Sequence, residues 1–180
     1  QTLDVAGTTT KSFSGLGIDT TTDLVTVQTH GFKNTDIVQF QSIATDGLPG
    51  PNNQNPPTRI VGGNTLSNLT NTARYGVLVN SPNLIHLTPP DAVFTFGGTS
   101  AQSGTTVTIT TATPHGLTTG DYVGIYGSTR VANGPFTVTV TNATTFTYTA
   151  PNSATVASAS DPGLAIAEVI DFTGQGNTQY

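Results

Sequence analysis

The strongest constraint on this chain is that it writes one pattern twice. From Leu24 a short apolar alternation runs into His30-Gly31, and Asp36 follows five residues after the glycine. From Thr106 a second alternation runs into His115-Gly116, and Asp121 follows at the same spacing. Each copy closes on two further strand-like runs, Tyr75 to Val79 with Ile85 to Leu87, and Phe136 to Val140 with Phe146 to Tyr148. A pattern repeated at this scale implies an array of small modules. Polar residues that recur in both copies are then expected to serve the fold before any chemistry.

The two copies differ in one long insertion. His30 and His115 lie 85 residues apart, Tyr75 and Phe136 only 61, so the first copy carries 24 extra residues. They fall in a Pro- and Gly-rich loop at 46–71, longer than ordinary connections, which rarely exceed about 12–15 residues. The expected organisation is an N-terminal arm at 1–22, a first β-module at 23–88 and a linker at 89–104 with a bridging strand around Val93, Phe94 and Phe96. A second β-module at 105–150 and a linker with a C-terminal arm at 151–180 complete it. Asn133-Gly134 marks a tight turn in the second module. Leu164 to Ile170 reads as a buried strand or a short helical turn, which periodicity alone does not separate. A domain of about 60 residues buries only about 60% of its unfolded surface, so such modules must lean on each other, on the arms or on other copies. The arms 1–22 and 151–180 are the segments expected to engage other subunits, because unpaired strands join sheet edges through their backbone.

Composition fixes the class. Charged residues make up 8% of the chain against an average near 25%, while Thr supplies roughly a fifth of all positions. Thr is β-branched and keeps a solvent face wet without charge, so the chain reads as all-β with hydroxylated outer faces. The fold class expected is two tandem small β-barrel or sandwich modules with extended N- and C-terminal arms. Net charge is −5, and Lys11, Lys33, Arg59, Arg74 and Arg130 are scattered. Nucleic-acid binding draws on clustered Lys and Arg, so no nucleic-acid partner is expected. The absence of Cys rules out disulfides and thiolate chemistry. No apolar run approaches the about 18 residues of a helical membrane span and no signal peptide is visible, so the chain reads as soluble with no membrane partner. It begins at Gln1 and contains no Met, which reads as a processed product or a portion of a longer one.

The stretch His115-Gly116-Leu117-Thr118-Thr119-Gly120-Asp121, continued by Val123, Ile125, Asn133-Gly134, Phe136 to Val140 and Ala143 to Phe146, resembles a repeat of bacteriophage and prophage structural proteins. That repeat is similar to the small β-barrel of the first catalytic-cysteine half-domain of ubiquitin-activating enzymes. The resemblance covers Thr105 to Tyr148 well and Leu24 to Leu87 more loosely. It implies a fold and a virion setting and carries no enzyme site.

Read one by one, the repeated residues are turn residues. Gly31 and Gly116 suit positions of positive φ, and Gly120 is a further structural turn residue. Asp36 and Asp121 stand where the chain re-enters a strand, where a carboxylate accepts backbone N–H groups. His30 and His115 recur at one place in each copy and are expected to be hydrogen-bonded turn imidazoles. His86 lacks a repeat partner and reads as an exposed strand residue. Tyr126, beside Gly127 to Arg130, is the one aromatic placed to form an exposed ligand platform, with Arg130 as its neighbour. No nucleophile elbow, calcium loop or phosphate cradle is present, so no catalytic residue, cofactor or metal is assigned. The function expected is a non-enzymatic virion structural or accessory protein of a tailed phage, a capsid decoration or part of a tail appendage. Its partners are other copies of itself, as a homo-oligomer, and other virion proteins. The alternatives are a carbohydrate- or receptor-binding module of a fibre or adhesin, or an extracellular filament subunit, located outside the cell or at its surface.

Overall fold

A computed structural model describes residues 2–5, 9–12, 18–19, 21–41 and 74–172. The loop expected at 46–71, much of the N-terminal arm and residues 173–180 lie outside the described residues. The elements are β1 (Thr2–Val5), β2 (Thr9–Ser12), β3 (Ile18–Asp19), β4 (Leu24–Thr26), β5 (Ile37–Gln41), β6 (Arg74–Ser81) and β7 (Leu84–Thr88). They continue with β8 (Thr95–Phe96), β9 (Thr99–Thr110), β10 (Tyr122–Tyr126), β11 (Gly134–Thr137), β12 (Thr139–Asn142), β13 (Thr145–Ser160) and β14 (Ala165–Glu168). The protein is all-β: among the described residues there is no helix, and the strands form three antiparallel sheets, none closed into a barrel.

The first sheet has the order β2-β1-β5-β6-β7-β4-β3, the second β11-β10-β14-β8 and the third β12-β13-β9. Period-two alternation dictates the first core. Val25 and Val27 are fully buried while Leu24 and Thr26 are half-buried, and they join Val38, Val77, Ile85, Leu87 and Phe172. The second core lies between the other two sheets, with Val107, Ile109, Phe146 and Tyr148 from one and Val123, Ile125 and Ile166 from the other. The run expected as one strand from Phe136 to Val140 is divided at Val138, which is 1% exposed at the corner where the chain passes from the second sheet to the third.

Several segments differ from the sequence reading. Residues 151–160, expected as a linker, continue β13 and pair with β9 down to Ser160↔Thr99, with register shifts between Thr149/Ala154 and Val156/Ala159. Small uncharged residues carry no apolar alternation, so strand character there comes from the partner strand. Leu164 to Ile170 takes the strand alternative. β14 enters the middle of the second sheet between β10 and β8, and the chain then continues to Ile170 N–H, which donates to Leu87 O at 2.8 Å. Phe172 closes the first core at 0% exposed. The segment expected to reach other subunits is therefore held by its own chain. β1 likewise pairs with β5 of the same chain.

A third apolar cluster joins the first sheet to the second. Leu78 on β6 meets Tyr126, Ala165, Ala167 and Val169, with Phe94 and Tyr122 at the rim. β6 and β7 are consequently buried on both faces: Val77, Ile85 and Leu87 line the first core, while Leu78 and the polar His86 and Thr88 lie on the other side. Gly124 allows the close approach: a Cβ there would stand 2.6 Å from Leu78 Cδ2 and 2.8 Å from Val169 Cγ1.

Candidate functional site

The two His-Gly turns close the same hydrogen bonds at matched positions. His30 Nδ1 accepts from Phe32 N–H at 2.9 Å, and Nε2 meets Ser81 O at 2.7 Å. His115 Nδ1 accepts from Leu117 N–H at 3.0 Å, and Nε2 meets Asn142 O at 3.1 Å. An accepting Nδ1 carries no proton, so in each ring Nε2 carries it and donates to the carbonyl of the facing hairpin. Both rings are buried, at 3% and 1% exposed, and neither has a nitrogen left for substrate. Each packs on an aromatic ring, Phe32 for His30 and Phe146 for His115.

The carboxylates match as well. Asp36 Oδ2 accepts from Lys33 N–H at 2.9 Å and Asp121 Oδ2 from Thr118 N–H at 2.7 Å, each carboxylate reaching back three residues to hold the first N–H of its turn. Their carbonyls accept from Val77 and Val138 N–H at 2.9 and 3.0 Å. Gly31 and Gly116 adopt φ of +67° and +71°, values that cost an L side chain but not glycine. The copies part at one position: Gly120 sits at φ +103°, and its counterpart Thr35 holds φ +76° with a β-branched side chain.

The polar group that sequence reading missed lies where the first and second sheets meet. Asp23 is 0% exposed, has φ +56°, and accepts from two directions. Tyr122 O–H of β10 donates to Oδ2 at 2.7 Å, and Phe172 N–H of the C-terminal segment donates to Oδ1 at 2.5 Å. One carboxylate thereby pins three parts of the chain. Burial raises its pKa, opposed by those two donors and reinforced by the nearby charges of Asp171 and Asp19. The Tyr122 hydroxyl is raised in turn, first by burial and then by Asp23.

Beside it, the Tyr126 hydroxyl pairs with His86 Nε2 at 2.5 Å, and the two rings stack at 5.1 Å. His86 is 0% exposed, correcting the exposed reading: β7 is covered on its second face by the second sheet, whose Tyr126 lies 40 residues further along the chain. Its Nδ1 is buried without a hydrogen bond, and burial pushes the imidazole down to about 4, against the favourable Asp23 backbone carbonyl. The period of the sequence held one clue. Asp23 shares parity with Val25 and Val27, so a carboxylate on the apolar face was legible, although its partners 99 and 149 residues away were not.

Tyr126 is not an exposed platform. It is 6% exposed, inside the cluster between the sheets, and its hydroxyl faces His86. Arg130 turns the other way, donating from Nη2 to Ala157 O at 2.5 Å, and so covers the edge of β13. Ser128 joins Asp161, whose Oδ2 accepts from Ser128 Oγ at 2.6 Å and Ser100 Oγ at 2.8 Å. Among the described residues no group of three or more His, Cys, Asp or Glu is placed to hold a metal ion. No helix of the described residues is long and apolar enough to cross a membrane.

No protein-family model matches this chain, and no curated protein matches it. Among solved structures it is similar to the phage phi92 endosialidase, at 27% sequence identity and a TM-score of 0.37. The similarity covers 55% of this chain and 17% of that one, so the chain spans under a fifth of the length of the protein it matches.

Proposed function

We propose that this chain is a non-enzymatic structural or accessory part of a tailed-phage virion, a capsid decoration or a component of a tail appendage. It works by packing against copies of itself and other virion proteins as a tandem repeat of two β-modules. One observation carries the reading. The residues with most chemistry to offer, His30, Asp36, His115 and Asp121, form matched sets of backbone hydrogen bonds in the two halves. Residues used twice in this way build a fold, and the motif they belong to resembles the repeat of phage structural proteins. The charge-poor, Thr-rich composition leaves few charged side chains to desolvate where like subunits pack together. The glycan-platform alternative is weakened by the burial of Tyr126.

The test is immunogold electron microscopy of intact particles with antibody raised to the purified chain. Regular labelling of heads or tails is the expected result and distinguishes decoration from appendage. Label confined to cell surfaces or free filaments would refute the virion assignment. Sedimentation of the purified chain provides the second readout, with a defined homo-oligomer expected and a monomer at all concentrations counting against self-packing.

A further inference from the structure

Two kinds of connection hold the second sheet on the first. The chain enters it from β7 through residues 89–94 into β8, and leaves it from β14 through Val169 into Ile170 and Phe172, which pack with the first core. β8 and β14 are neighbours in the sheet, so both covalent links lie along one margin. β10 stands on the far side of β14, and its ties are polar. Tyr126 Oη meets His86 Nε2 at 2.5 Å, and Tyr122 Oη donates to Asp23 Oδ2 at 2.7 Å. The two tyrosines are four residues apart on one strand, so both project from the same face. The arrangement is a hinge along β8 and β14 with a latch at β10.

The apolar filling between hinge and latch is thin. Among the described residues the buried junction cluster is Leu78, Tyr126, Ala165, Ala167 and Val169, two of the five being alanines, whereas the first core has nine buried members and the second eleven. Parting the sheets therefore exposes less apolar surface than opening either core. His86 sits at the latch, 0% exposed, with Nδ1 making no hydrogen bond. A proton added there is buried as an unhydrated charge, and water reaches it only when β10 lifts away. The groups around it are Tyr122 and Tyr126 from β10, Asp23 before β4, Asp19 from β3 and Asp171 beyond β14. β14 itself turns Ala165 and Ala167 to the junction, and its Glu168 is paired with Val123, which faces the second core. None of the groups acting on His86 or Asp23 is basic.

We propose that this junction is an acid-released latch: protonation of His86 frees β10, and the second sheet, carrying the third, swings about 89–94 and 169–170 to bare the second face of β6 and β7 while both cores stay closed. The imidazole returns on opening from about 4 to its ordinary 6.5, so the open fraction rises roughly fifty-fold between pH 7 and pH 4.5. Asp23, whose carboxyl is raised by burial, acts with the opposite sign and reduces that rise. The inference is independent of the virion reading.

The chain has no Cys, so a single introduced thiol reports on one place. Ala167→Cys puts it in the junction, while Val77→Cys and Val107→Cys put it in the first and second cores, all at positions 0% exposed. Each full-length variant is reacted with 4,4′-dithiodipyridine at pH 7 and pH 4.5, its rate taken relative to free cysteine at the same pH. The Ala167→Cys thiol is expected to react about ten- to fifty-fold faster at pH 4.5, with both core thiols still protected. Adding His86→Leu should remove the acceleration. Ala165→Cys replaces Ala167→Cys if that variant does not fold. A junction thiol equally protected at both pH values overturns the proposal. So does acceleration of the core thiols together with it, which is unfolding instead of a hinge, and so does acceleration that survives His86→Leu.

Discussion

The buried imidazole between the sheets gives this fold a calculable acid limb. His86 is fully enclosed and its pKa is pushed from 6.5 to about 4, chiefly by burial. The folded state therefore resists protonation that the unfolded chain accepts readily below pH 6.5. Stability from this group is complete above that pH and is lost progressively as pH falls toward 4. The shift spans about 2.5 pH units at about 1.4 kcal/mol each, so the full loss is about 3–4 kcal/mol. Between pH 7 and pH 4.5 most of it, about 2–3 kcal/mol, should be realised. Asp23 acts with the opposite sign. Its raised pKa means that protonation on acidification favours the folded state, so the whole-protein curve mixes two contributions. The variant His86→Leu separates them, because its packing cost and the lost hydrogen bond to Tyr126 are the same at every pH. The assay is urea unfolding followed by circular dichroism at pH steps from 7 to 4.5. The gap between wild-type and variant stability should shift by about 2–3 kcal/mol in favour of the variant as pH falls. Parallel curves for the two proteins would show that His86 is not held neutral by burial and would refute the account of the junction.

Three further outcomes are expected. Thr35→Gly, which copies Gly120 at the matched position, should relieve the strain of φ +76° and raise stability by about 1 kcal/mol, read as a higher melting temperature. Phe172→Ala should cost about 3–5 kcal/mol in urea unfolding, and removal of 163–180 should unfold the first sheet's core instead of leaving two intact modules. Asp23→Ala strands the Tyr122 hydroxyl and the Phe172 amide, at about 1–3 kcal/mol each, and should be seen as faster amide exchange at Phe172 than in wild type.

Local pattern made much of this fold legible. The all-β class follows from the Thr, Val and Ile alternation, and the face that Val25 and Val27 bury follows from period two. What the sequence left hidden was long-range. His86 looks like a polar residue on a strand with one solvent face, and only the arrival of β10 and β14 on that face buries it. Tyr126 failed as a platform for the same reason. The segment 151–160 lacks any apolar signal because both its faces are largely in solvent, so its strand character comes from pairing with β9. In each case the deciding neighbour lies tens of residues away, where periodicity carries no information.

The path of β14 has a consequence for how the chain is made. The second sheet is completed by β14, the last strand among the described residues, placed between β10 and β8, and the first core waits for Phe172 beyond it. A ribosome releases residues 24–88 well before 165–172, so the early-emerging sheet has an open core until that later segment has followed. The contacts that close it have high sequence separation, which places folding among the slower all-β cases. The two halves should accordingly melt in a single transition, because neither holds a complete interior without the same short C-terminal segment.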